Sequence, residues 1–152
     1  MRVINTPADM KNHIGEDFGA SDWVLIDQAT IDKFAEATGD HQWIHVDVER
    51  AKTEMPGGKT IAHGFLTLSL VPRLSATIWK IEHRSRGLNY GLNKVRFTAP
   101  VPVNSRLRAH MHLLACEAID NSGMQMTWKV SVEREGSDKP VCVAESLVRR
   151  YP

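Results

Sequence analysis

The arrangement of apolar and polar positions divides this chain into a helical first half and a stranded second half. From Gly64 onward, Phe65, Leu68, Val71, Ser75 and Ile78 recur at helical spacing, with Leu66, Leu70 and Leu74 beside them. A segment this apolar on every side predicts a largely buried helix, and Pro72 within it removes a donor and predicts a kink near Leu68. After Gly87 the period changes to two. Val95, Phe97 and Ala99 alternate with Lys94, Arg96 and Thr98, and Leu107, Ala109, Met111 and Leu113 alternate with Arg106, Arg108, His110 and His112. Met124, Met126, Trp128, Val130 and Val132 repeat the pattern, and Val141 to Val148 makes a further strand. Such alternation marks half-buried strands, here separated by Asp120-Asn-Ser-Gly123 and Glu135-Gly-Ser-Asp138 turns.

The first 22 residues show little periodicity. Trp23-Val-Leu-Ile26 reads as a short buried strand. Thr30 is placed to cap a helix, Asp32 favours its positive end, and Ile31, Phe34, Ala35 and Thr38 share one face. Gly39 should end that helix in a left-handed conformation. Asp47 is placed to cap a short second helix over Val48–Thr53, and Met55-Pro-Gly-Gly-Lys59 has the chemistry of a loop. The expected architecture is α+β: a single hot-dog domain over residues 1–152, with a curved antiparallel sheet wrapped around a long buried helix.

Composition narrows the function without fixing it. The 19 basic and 18 acidic side chains nearly cancel, leaving net +1 and no charged block, so a nucleic-acid partner is not expected. Cys116 and Cys142 lack metal-ligand spacing and read as small buried hydrophobes. The N-terminal segment lacks a secretory pattern, and the apolar stretch Ile61–Ile81 is broken by His63, Arg73 and Lys80, so neither export nor a membrane span is expected. The chain reads as cytoplasmic.

Two local motifs carry chemistry. The run Phe34-Ala-Glu-Ala-Thr-Gly-Asp40-His-Gln-Trp-Ile-His45-Val-Asp47 is followed by Thr60-Ile-Ala-His-Gly-Phe65, and then by Asn89-Tyr-Gly-Leu-Asn-Lys-Val-Arg-Phe-Thr-Ala-Pro-Val-Pro-Val103. On these residues, over roughly positions 20–150, the sequence resembles the MaoC-like dehydratase family, which includes (R)-specific enoyl-CoA hydratases, and within it the nodulation-protein-N-like branch. The resemblance implies a hot-dog homodimer that adds water reversibly to trans-2-enoyl-CoA, giving (R)-3-hydroxyacyl-CoA. It places the catalytic pair on Asp40 and His45 and the oxyanion-binding amide on Gly64. Many hydratases of the family have Asn-Pro between the acid and the imidazole, where this chain has Gln42-Trp43.

The chemistry suits those residue types. A carboxylate and an imidazole can hold one water and move its proton, and an unpaired amide at a helix start can stabilise an enolate oxygen. Gly64 has no side chain to obstruct that approach. Taken alone, Asp40 is equally a turn residue, His45 a satisfied half-buried histidine and Gly64 a packing glycine. His63 either orients the loop before Gly64 or forms pocket wall, and Trp43, Phe65 and Ser69 are further pocket candidates. His41 and His45 have metal-ligand spacing, but Gly39 should end the helix before them, so no metal is expected. Without a Gly-x-Gly-x-x-Gly motif, no dinucleotide cofactor is expected either. Lys59, Arg84, Arg86, Lys94 and Arg96 are available for coenzyme A phosphates. The alternatives are a hot-dog acyl-CoA thioesterase and a non-catalytic acyl-thioester-binding protein.

Overall fold

A computed structural model describes residues 1–152. Along the chain run β1 (Arg2–Ile4), a 3-10 segment (Ala8–His13), β2 (Asp17–Ala20), β3 (Val24–Ile26), α1 (Gln28–Thr38), α2 (Trp43–Val46) and α3 (Val48–Glu54). A 3-10 turn (Pro56–Gly58) then leads to α4 (Gly64–Ser69), α5 (Val71–Ser75), β4 (Trp79–Ile81), β5 (Arg86–Arg96), β6 (Ser105–Ala118), β7 (Met124–Arg134) and β8 (Pro140–Tyr151). The main sheet has the order β2-β6-β7-β8-β5, with β3 also paired to β6, and every pairing is antiparallel. This is the α+β hot-dog arrangement expected from the sequence.

Alternation explains how the sheet holds its helices. Leu107, Ala109, Met111 and Leu113 on β6 and Met124, Met126, Trp128, Val130 and Val132 on β7 are all buried, while the residues between them carry charge or polarity outward. Register keeps β8 in step: Cys142 lies opposite Val132, Ala144 opposite Val130 and Val148 opposite Met126. Leu66, Leu74 and Ile78 belong to the same apolar cluster, and Cys116 and Cys142 are buried free thiols. Trp128 anchors the centre, with Trp79 stacked at 5.0 Å and Phe18 edge-on at 4.9 Å.

Several local expectations change. The helix beginning at Gly64 is interrupted at Leu70, and Pro72 falls in the first turn of α5, where its missing N–H costs nothing. Ile78 lies beyond α5 in the turn before β4, and Phe65, Pro72 and Ala76 are exposed. The helical layer is therefore shorter and less enclosed than the periodicity predicts. α1 starts three residues early: Asp27 is its cap, its carboxylate accepting from the Thr30 N–H at 2.9 Å and the Thr30 hydroxyl at 2.7 Å. An ionised carboxylate outcompetes the hydroxyl as acceptor, so Thr30 becomes a donor inside the helix. Gly39 does close α1 at φ 81°, and Asp47 caps α3 through the Arg50 N–H. The unpatterned N-terminus contributes β1, paired in parallel to β4, and β2 at the edge of the main sheet. No helix is long and apolar enough to cross a membrane.

Candidate active site

The motif residues meet where α1 ends and α4 begins. After Gly39 turns the chain, the Asp40 carboxylate accepts from the Gln42 N–H at 3.3 Å, and α2 follows as a single turn carrying His45. Asp40 is exposed while His45 is buried. Two ties hold α2 in place. Gln28 donates from Nε2 to the His45 carbonyl at 2.8 Å and accepts from the Thr60 hydroxyl at 2.6 Å, and the Ile61 N–H donates to the Ile44 carbonyl at 3.0 Å. Gln28 had no signal in the sequence beyond a place in a helix.

The hydrogen bonds fix both imidazole tautomers. His45 Nδ1 lies 2.7 Å from the Ile61 carbonyl, which can only accept, so Nδ1 carries the proton and Nε2 is left as a bare acceptor. His63 Nε2 donates to the Asp40 carbonyl at 3.0 Å by the same logic, leaving Nδ1 buried without a partner. The two rings stack at 3.8 Å and 24°, and Phe34 packs 5.0 Å from His63. Burial holds the His45 imidazole below its ordinary 6.5; the Ile61 hydrogen bond opposes, His63 reinforces, and Asp40 opposes. Polar atoms of Asp40, His45 and His63 all lie within 4.8 Å of one another. His41 is exposed ahead of α2 and shares no helical face with His45.

Gly64 opens α4, ahead of any intrahelical acceptor, so its N–H is free to face a ligand. The Phe97 ring lies over it; a Cβ at Gly64 would stand 2.7–2.9 Å from ring atoms. A cavity of about 200 Å³ is bounded here by His45, Gly64, Thr67, Phe97, Pro100 and Val141. Phe97 is thus a site residue that alternation had assigned to a strand. Beyond β5 it is 43% exposed and meets Phe65 edge-on at 5.8 Å.

The other candidates scatter. Phe65 is 67% exposed and leans on Phe97 from outside the cavity. Ser69 donates to the Phe65 carbonyl at 2.6 Å and borders a second cavity further along the helices. Trp43 lines neither cavity; it packs under the Arg50 guanidinium at 3.9 Å. Lys59 lines a large cleft of about 730 Å³ that shares Ile61 and Pro100 with the smaller cavity. Lys94 and Arg96 are at one end of β5, Arg86 at the other, and Arg84 precedes it.

A curved antiparallel sheet over a short helical layer is the hot-dog architecture, the fold shared by hydratases, dehydratases and thioesterases. A family model described as the MaoC like domain matches residues 9–135, and the chain belongs to this family of dehydratases. It is 54% identical over 149 residues to 3-hydroxyacyl-thioester dehydratase Z of Mycobacterium tuberculosis, covering 98% of each chain. It is 47% identical to nodulation protein N of Rhizobium leguminosarum bv. viciae, covering 90% of this chain and 86% of that one. The solved structure of R-hydratase PhaJ1 from Pseudomonas aeruginosa, unliganded, superposes with TM-score 0.71 at 23% identity, over 94% of this chain and 83% of that one. The chain is accordingly an enzyme of the hydratase and dehydratase type.

Proposed function

We propose that residues 1–152 form one catalytic domain that hydrates trans-2-enoyl-CoA thioesters to (R)-3-hydroxyacyl-CoA and runs the reverse dehydration, acting as a cytoplasmic homodimer. The observation that carries this reading is the tautomer of His45. With Nδ1–H committed to Ile61, Nε2 and the Asp40 carboxylate are both acceptors, so a single water can donate one hydrogen to each. Its oxygen lone pair is then free for the β-carbon of the enoyl group.

As the C–O bond forms, the carbon–carbon double bond supplies electrons to the thioester carbonyl, and the oxygen charge falls on the Gly64 N–H. Asp40 takes the proton released by water, His45 holds the water in line, and the pair returns a proton to the α-carbon as the enolate collapses. One water is consumed and the pair ends as it began. The relatives named as a 3-hydroxyacyl-thioester dehydratase and an R-hydratase support this substrate class and stereochemistry. A dimer is supported by β5, an edge strand that exposes Leu88, Tyr90 and Leu92 along an unpaired backbone.

The test is to follow the enoyl absorbance of trans-2-enoyl-CoA substrates while trapping free thiol and resolving the 3-hydroxyacyl product by chirality. Loss of absorbance with an (R)-product and no thiol is expected. Release of free coenzyme A instead makes the protein a thioesterase, and binding without turnover makes it a carrier.

A further inference from the structure

A second cavity, of about 340 Å³, lies further along α4, α5 and β8 and shares no lining residue with the first. The first is bounded by Gly64 and Thr67 on α4 and Val141 on β8; the second continues with Leu68, Ser69 and Ser75 on the helices and Ala144, Val148 and Arg150 on β8. Its lining is mostly apolar, with Val71, Leu92, Met111 and Val130 among it, and carries the polar side chains of Ser69, Ser75, Asn89 and Ser146 as well, a mixture in which the methylenes of an acyl chain find apolar wall. An acyl chain held by its thioester at Gly64 reaches this cavity only by passing between α4 and β8, the two elements that line both.

Its far end is not apolar. Arg150 pairs with Met124 on one side and Gly87 on the other, so it faces the core side of the sheet with Met126 and Val148. Gly87 makes room for it: a Cβ there would stand 2.6 Å from Nη1 and 2.9 Å from Cζ. The guanidinium makes one side-chain hydrogen bond, from Nη1 to the neighbouring Arg149 carbonyl at 3.0 Å, and its Cζ lies 5.5 Å from the Trp79 ring. No acid answers it. None of the eight ion pairs includes Arg84, Arg86, Arg149 or Arg150. Burial, reinforced by Arg84, lowers its hold on its proton, which is the mark of a cation short of a counter-charge. A guanidinium drawn into a cavity with no carboxylate in reach is costly unless a ligand supplies the anion, and its planar fork matches a carboxylate.

We propose that Arg150 binds a carboxylate at the far end of the acyl chain, so that ω-carboxyl 2-enoyl thioesters are the favoured substrates. This rests on the thioester reading above. With α4 and the separate α5 lying between Gly64 and Ser75, a long acyl chain, on the order of ten or more carbons, is needed to span them.

The test compares kcat/KM for trans-2-dodecenoyl-CoA and its ω-carboxyl counterpart in the native enzyme, Arg150→Met and Arg150→Lys. The ratio between the two substrates is read within each variant, which cancels any loss of folded protein. The native ratio should favour the carboxylate by about tenfold or more, the size of a charged hydrogen bond. Arg150→Met should abolish that preference and Arg150→Lys retain part of it. A native ratio near one, or a ratio unchanged in Arg150→Met, overturns the proposal. An equal loss on both substrates and on crotonyl-CoA also overturns it, because Arg150 then serves the coenzyme or the fold. Should no thioester turn over, the function proposed above fails; equilibrium binding of the same two thioesters to native protein and Arg150→Met then decides the tail site separately, by the same ratio.

Discussion

His45 shows how much of the chemistry rests on single atoms. Its burial favours the neutral ring, so the folded protein binds this proton less readily than the unfolded chain does. A histidine depressed in this way leaves stability at its full value above the unfolded pKa of 6.5; stability declines as pH falls through 6.5 and levels off below the folded pKa. Urea melts between about pH 5 and 8 should show that decline, and His45→Gln should flatten it. An unchanged curve would mean that other groups carry the pH dependence. Gly64 is constrained by space as well as by its amide. Gly64→Ala should lower kcat/KM by at least about tenfold as the new methyl displaces the Phe97 ring, and adding Phe97→Leu should recover part of the loss. Asp40, His45 and Gly64 were legible as candidates because each sits in a short local motif that carries the family resemblance. Gln28 and Phe97 were not, since their roles arise from contacts with segments more than fifteen residues away.

At the scale of elements, alternation was legible wherever one strand face meets the core without interruption. β6, β7 and β8 satisfy that condition over most of their length. β5 does not: its bulges, between Asn89 and Gly91 and between Leu92 and Lys94, each advance the phase by one residue and erase the period of two. Only its last residues, near Val95, kept the pattern. Helix starts depended on which side chain wins the free amides, and at α1 the carboxylate wins. Asp27→Ala should therefore lower the melting temperature more than Thr30→Ala; the reverse order would restore Thr30 as the cap. In the centre of the sheet, Trp128→Ala should cost about 3–5 kcal/mol in chemical denaturation, because Trp79 and Phe18 both lose their partner. A cost under about 1 kcal/mol would mean that the core closes over the gap.

For the whole molecule, the sheet, the helical layer and the motif loop serve one geometry. The sheet faces its apolar side to α4 and α5, their start carries Gly64, and the loop after α1 and the single turn of α2 bring Asp40 and His45 toward it. The sequence implied this arrangement through resemblance and patterning together; the exposed flank of the helices and the bare β5 edge became visible only in three dimensions. Both are surfaces that the proposed homodimer would cover. Sedimentation should show a dimer, and Leu88→Asp on the free edge should shift it toward monomer; a native monomer would contradict that assembly. The most direct measurement is the rate at which trans-2-enoyl-CoA loses its enoyl absorbance with native protein, Asp40→Asn and His45→Gln, each checked for an unchanged fold by circular dichroism. Turnover is expected in the native enzyme, with a fall of about a hundredfold or more in either variant. Variants as active as the native protein would contradict that expectation and leave Asp40 and His45 as structural residues of the turn between α1 and α2 and of α2 itself.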